Sequence, residues 1–283
     1  MPRKEPSMAG QPVPERDYLL GHSRPEIDRL IRQAEMLRPI TQRLLVSAGI
    51  ERGMRVLDIG CGPGDVSLLL ADLVGPTGYV FGIDPSAEAI AVARNRFHAR
   101  RHTNAEFVQS DIQSYEGPAG FDAAVCRYVL IHQKDPSDFL RMARRLIRTG
   151  GVIALHEMDA TRGIRSNPRL AVLHKVYDAV HYTLTRGGAP FDVGGRFVRV
   201  FHEAGLSAPS MFTETLVESA ADSQMLPWLV SLAREVLPHM LAAGAMTADQ
   251  LAIDTLLDRL RRQANSSDCQ LEFVPQICAW VRV

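Results

Sequence analysis

The stretch from Met54 to Asp65, Met-Arg-Val-Leu-Asp-Ile-Gly-Cys-Gly-Pro-Gly-Asp, constrains this chain more than any other. Its apolar run Val56, Leu57 and Ile59 predicts a buried strand, and Gly60, Gly62 and Gly64 prevent that strand from continuing. The amphipathic segment behind it, with Val66, Leu68, Leu69, Leu70 and Leu73, predicts a helix. A glycine turn between the two lets a ligand approach the backbone closely, and free N–H groups are expected at the positive end of the helix dipole. Spacing excludes two nucleotide-binding patterns. A dinucleotide fingerprint has its third glycine three residues after the second, where this chain has Asp65. A triphosphate loop needs Gly-Lys-Ser/Thr, which does not follow.

Downstream, strands and helices alternate. Tyr79 to Asp84 predicts a strand ending in a carboxylate, followed by Pro85 and by Ser86 as cap of a helix over 87–98. Glu106 to Ser110 predicts a third strand running into Asp111 and Ile112, and Gly120 to Cys126 a fourth running into Arg127. Asp135-Pro136 starts a helix, and Val152 to Glu157 predicts the fifth strand. This rhythm implies right-handed crossovers and a parallel sheet, whose ligands bind beyond the carboxyl ends of the strands. Asp58, Gly60, Asp84, Asp111, Arg127 and Glu157 all fall at or near those ends. A carboxylate such as Asp84, roughly twenty residues past a glycine turn, can accept hydrogen bonds from both hydroxyls of a ribose.

With Asp58 just ahead of Gly60, Cys61 and Gly62, the block resembles motif I of the class I S-adenosylmethionine-dependent methyltransferases. The resemblance is specific over about 18–160. It implies a Rossmann-like, doubly wound α/β fold whose seven-stranded sheet has an antiparallel last strand, with S-adenosylmethionine as cofactor. It also implies that Asp84 with Pro85 meets the ribose, that Asp111 meets the adenine amino group, and that Ile112 packs on the ring. Arg127 completes the cofactor set. The segment Tyr18-Leu-Leu-Gly-His-Ser is similar to one that folds over the cofactor in small-molecule members, so Tyr18, His22 and Gln33 are candidate lid contacts. Members that modify amino groups of bases or glutamine carry an Asn/Asp-Pro-Pro-Tyr-like tetrapeptide after the fourth strand. This chain has Cys126-Arg-Tyr-Val129 instead.

That departure favours a small organic acceptor, a metabolite or natural product, methylated on O, N or C. The alternatives are an enzyme of the same fold that uses the bound sulfonium for a non-methylating rearrangement or cyclisation, and a non-catalytic binding module. In-line methyl transfer depends chiefly on positioning and exclusion of water, so a base is required only if the acceptor must lose a proton. His132, His156 and Glu157 are the candidate bases, Glu157 preferred, because they lie at strand exits. Strand alternation sends His156 and Glu157 to opposite faces. The His156-Glu-Met-Asp159 cluster lacks a second His at ligand spacing, so no metal is expected.

Composition and periodicity, read with that resemblance, imply a proline-rich disordered lead-in (1–17), lid helices (18–50), the cofactor-binding core (51–160), a cap segment (161–195) and a core continuation (196–220). A helical insert (221–265) and a final strand (266–283) complete it. Ser207 to Glu218 is expected as the sixth strand and Leu271 to Val283 as the closing one. The insert either caps the crevice or makes a homodimer contact. Lys plus Arg and Asp plus Glu both number 32, so no basic excess marks a nucleic-acid binder. Four cysteines without a Cys-x-x-Cys pair and no apolar run of membrane-spanning length point to a reducing cytoplasm rather than a membrane or secreted location.

Overall fold

The computed structural model describes residues 24–186, 188, 190–220 and 222–283. Tyr18, His22 and the lead-in 1–17 lie outside the described residues. The described chain begins with α1 (Arg24–Ser47), one helix despite Pro39 within it. Proline forfeits an intrahelical hydrogen bond, but Leu37, Ile40, Leu44 and Leu45 are all fully buried, and that packing carries the helix through.

The core follows as β1 (Arg55–Ile59), α2 (Asp65–Val74), β2 (Tyr79–Asp84), α3 (Ala87–Ala99), β3 (Ala105–Gln109), β4 (Phe121–Arg127), α4 (Pro136–Leu146) and β5 (Ile147–Met158). The helix starts obey residue chemistry. Ser86 Oγ accepts from the Ala89 amide ahead of α3, and Asp135 accepts from the Asp138 amide ahead of α4, with Pro136 in its first turn. Then come β6 (Arg165–Asn167), α5 (Ala171–Arg186), α6 (Phe197–Glu203), β7 (Ser210–Glu214), β8 (Val217–Ser219), α7 (Met225–Glu235) and α8 (Leu237–Ala242). The chain closes with α9 (Ala248–Leu251), α10 (Ile253–Asn265), β9 (Gln270–Glu272) and β10 (Gln276–Arg282).

The main sheet has the order β3-β2-β1-β4-β5-β10-β7. Strands β1 to β5 are parallel, and β10 runs antiparallel to both β5 and β7, so the expected doubly wound sheet with a reversed last strand is the observed one. Two strands are shorter than expected. The one read over 207–218 stays in the main sheet only to Glu214, because Val217–Ser219 pairs with β9 in a second sheet of order β6-β9-β8. The one read over 271–283 is cut at Pro275, which has no N–H to give a ladder, leaving β9 in the small sheet and β10 in the large one.

Alternating side chains of each central strand feed separate cores. Val56, Val125 and Ala154 join the layer under α2, α3 and most of α1, whereas Leu57, Ala124 and Ile153 join the one with α4 to α7. The segments expected to cap the crevice form one helical layer, with α1 on α7, α7 on α10 and α5, and α5 on α8. Among the described residues, no helix is long and apolar enough to cross a membrane.

Candidate active site

The glycine turn is closed onto the protein. The Gly60 and Cys61 amides both donate to the Ile83 carbonyl, at 2.8 and 3.0 Å, the Gly62 amide donates to Asp84 Oδ2 at 2.9 Å, and the Gly64 amide to the Cys61 carbonyl at 3.0 Å. The expected free N–H groups of the glycines are therefore already satisfied, chiefly by the tip of β2. What the turn offers a ligand is space. A Cβ at Gly60 would lie 2.5 Å from Val129 Cγ2 and one at Gly64 3.1 Å from Ala93 Cβ, but one at Gly62 would meet nothing within 4 Å. Gly60 and Gly62 have φ of 69° and 53°, which residues with a Cβ rarely adopt. Packing demands glycine at the first; at the second, backbone lies open to another molecule. Cys61 turns its side chain away, 6% exposed and against β2, where burial pushes its thiol well up.

The carboxylates serve unequal purposes. Asp58 is 1% exposed and accepts from Ser67 Oγ at 2.5 Å; burial raises it to about 7 against that hydrogen bond. Asp84 accepts from Gly62 N through Oδ2 and from Ser86 N through Oδ1, each at 2.9 Å, so it ties the glycine turn to the loop before α3. Pro85 is exposed beside it, its carbonyl accepting from Gln109 Nε2. Asp111 is half-buried and takes the amide and hydroxyl of Ser114 on Oδ1, both at 2.7 Å, while Ile112 is buried in the core.

Both candidate bases on β5 are shut off from solvent. His156 and Glu157 are each 0% exposed. Alternation sends them to opposite faces as expected, but α1 covers one and the 3-10 turn Leu130–His132 covers the other. His156 contacts Thr41 Oγ1 through Nδ1 at 3.0 Å and Gln276 Oε1 through Nε2 at 3.1 Å, and burial followed by the Arg127 charge pulls it down to about 3. Glu157 Oε1 accepts from the Val129 and Leu130 amides at 2.8 and 2.7 Å; its Oε2 has no hydrogen-bond partner, and burial raises the acid to about 8. Glu157 is thus a neutral acid holding a turn, which corrects its expected place facing the pocket.

His132, at the end of that turn, is exposed. Burial against the surrounding protein, followed by the Arg29 charge, pulls its imidazole down, so the ring is neutral at pH 7. Gln33, a candidate lid contact, is held mostly inside the protein. It is 6% exposed, and its Oε1 accepts from Arg29 Nη1 and Trp228 Nε1, both at 2.8 Å, tying α1 to α7. Arg127 is half-buried, donates to Thr41 Oγ1 at 3.1 Å, and feels the charges of Asp65 and Asp58 on either side of the glycine turn. Sequence reasoning missed Thr41 and Gln276. The signal available was a polar residue at a helical spacing otherwise filled by Leu37, Leu44 and Leu45.

The opening at Gly62, the Asp84 carboxylate bonded to that residue, and a nearby guanidinium fit a ligand that carries hydroxyls and an ionised amino-acid end. Among the described residues, no three His, Cys, Asp or Glu side chains are grouped to hold a metal ion.

Comparison with known proteins agrees with this geometry. The family model described as a methyltransferase domain matches residues 50–204. The ubiquinone/menaquinone biosynthesis C-methyltransferase of Pseudomonas savastanoi is 33% identical over 137 residues, covering 48% of this chain and 51% of that protein. An arsenite methyltransferase of Aquipseudomonas alcaligenes is 35% identical over 153 residues, 51% of this chain and 42% of that protein. The chain spans about half the length of the curated relatives it matches. A crystal structure of a putative methyltransferase from Bacillus halodurans aligns with a TM-score of 0.56 at 17% identity, covering 86% of this chain and 97% of that one, which supports the fold. By the family match across more than half its length, and by a sheet of this order, the chain belongs to the class I S-adenosylmethionine-dependent methyltransferase family.

Proposed function

We propose that this protein transfers the methyl group of S-adenosylmethionine to a small organic acceptor. The observation that carries the reading is the glycine turn: packed shut at Gly60 and Gly64, open at Gly62, and fastened to the carboxylate of Asp84. Bound S-adenosylmethionine supplies an electrophilic methyl on a sulfonium. In this reading Asp84 receives the ribose hydroxyls, Asp111 and Ile112 meet the adenine, and Arg127 meets the charged amino-acid end. The helical layer of α1, α5, α7, α8 and α10 excludes water from the acceptor, and holding the reactants in line can contribute roughly 7–11 kcal/mol to lowering the barrier. In this reading His132, exposed and neutral, accepts a proton from an acidic acceptor.

An organic acceptor methylated on O, N or C suits these residues better than trivalent arsenic. Soft metalloids seek thiolates, and Cys61, Cys126, Cys269 and Cys278 are all buried with thiols held above their ordinary range. The test is to incubate the protein with S-adenosylmethionine and a panel of quinols, phenols and amines, following S-adenosylhomocysteine and the methylated product together. Product formation with at least one acceptor is expected. Cofactor binding by calorimetry without S-adenosylhomocysteine across the panel would remove methyl transfer, and absence of binding would remove the cofactor as well.

A further inference from the structure

Beneath the site, five side chains from four separate stretches join in one hydrogen-bonded chain: Arg127, Thr41, His156, Gln276 and Tyr128. Arg127 Nη1 lies 3.1 Å from Thr41 Oγ1, Thr41 Oγ1 lies 3.0 Å from His156 Nδ1, His156 Nε2 lies 3.1 Å from Gln276 Oε1, and the Tyr128 hydroxyl lies 2.5 Å from that same oxygen. Thr41, His156 and Gln276 are all 0% exposed, so every polar atom must find its partner within the protein.

Donor and acceptor rules give the chain a direction. Gln276 Nε2 donates to the Val274 carbonyl at 2.8 Å, which turns Oε1 toward the imidazole, and a carbonyl oxygen can only accept. His156 therefore carries a proton on Nε2. Being buried and close to a guanidinium, the ring is neutral, so Nδ1 is bare and accepts the Thr41 hydroxyl proton. That leaves the lone pairs of Thr41 Oγ1 for Arg127, although the Leu37 carbonyl, 3.1 Å away, would otherwise compete for the hydroxyl. The neighbouring backbone is built around the same network. Tyr128 has φ of 57°, a costly conformation for a residue with a Cβ, and its amide donates to the His156 carbonyl while its ring packs edge-on against the imidazole.

We propose that Thr41, His156 and Gln276 are positioning residues that fix the Arg127 guanidinium beside the glycine turn, oriented to take the carboxylate of the amino-acid end of S-adenosylmethionine. The inference rests on the cofactor reading above. It reassigns His156 from a base to a tautomer-locked spacer, and it makes α1 and β10 part of the cofactor site although neither carries a family motif. Arg127 is the only formally charged member of the chain, and the oxygen of Thr41 is the hydrogen-bond acceptor that holds its Nη1.

The experiment compares binding of S-adenosylmethionine with binding of its decarboxylated form, by calorimetry, for the wild type, Thr41→Val and Thr41→Ser. The wild type should prefer the carboxylated ligand by about tenfold or more, the size of one charge-assisted hydrogen bond. Thr41→Val should lose most of that preference with little change for the decarboxylated ligand, and Thr41→Ser, which keeps the hydroxyl, should retain it. If Thr41→Val keeps the full preference, or weakens both ligands equally, the positioning role is wrong while the cofactor reading stands. A wild type that binds neither ligand removes the cofactor reading itself. Should Thr41→Val not fold, nitrogen NMR of the unaltered protein decides: one histidine locked with its proton on Nε2 at pH 7 is expected, and a proton on Nδ1 of His156, or a charged ring, overturns the chain.

Discussion

Glu157→Gln should abolish a specific pH dependence of stability. In the folded protein Glu157 is completely buried, with Oε1 held by two amides and Oε2 without a partner, and burial raises it from 4.5 to about 8. A carboxyl raised on folding contributes fully below its unfolded value, and that contribution is lost as pH rises toward the folded value. Between pH 4.5 and about 8 the unfolded chain ionises this group while the folded protein keeps it protonated. Each pH unit in that window removes about 1.4 kcal/mol, so at pH 7, two and a half units in, about 3 kcal/mol has gone. Glutamine preserves the acceptor oxygen and cannot ionise. It leaves an unpaired amide donor where the acid leaves an unpaired hydroxyl, so the two start nearly level at pH 4.5. Urea unfolding of both proteins at pH 5, 6 and 7 is the assay. The stability of the variant relative to the wild type should climb by about 1.4 kcal/mol per unit. A difference that stays flat across this range would show Glu157 ionised in the folded protein and refute the burial argument. Turnover of the variant should remain within a few fold, since loss of a true general base costs about a hundredfold or more.

Gly60→Ala and Gly62→Ala should separate packing from binding: the first destabilises the fold by about 2 kcal/mol, because its Cβ strikes Val129 at 2.5 Å, as read by thermal unfolding. The second meets no protein atom and should cost only about 1 kcal/mol for its left-handed backbone, while lowering cofactor affinity by calorimetry. Asp84→Ala frees the Gly62 and Ser86 amides and removes the expected ribose acceptor, so cofactor binding should weaken by more than about 1.5 kcal/mol; unchanged affinity would count against that assignment. His132→Ala should lower kcat with an acidic acceptor while leaving cofactor affinity within about twofold, and an equal effect on both would place the ring against the cofactor instead.

The reversed last strand followed from the family resemblance; the turn at Gly60 to Gly64, the caps at Ser86 and Asp135 and the parallel run of β1 to β5 were legible from residues in a row. Each of the latter depends on local chemistry or on a side-chain period of two or 3.6, which neighbouring residues carry among themselves. The ends of β7 and β9 were not legible, because a run of strand-forming residues does not say which sheet it will join; Pro275 was the one local hint. The same limit governs the site. Alternation sent His156 and Glu157 to opposite faces, but whether a face opens to solvent depends on what lies across it. Thr41 reaches His156 from 115 residues away, Gln276 from 120, and Trp228 reaches Gln33 from 195. From its sequence alone, then, this protein had its sheet, its glycine turn and its family. Tertiary packing decided which polar groups stay accessible and which are sealed into the scaffold, because burial is a property of the partners that cover a side chain rather than of its place in the chain.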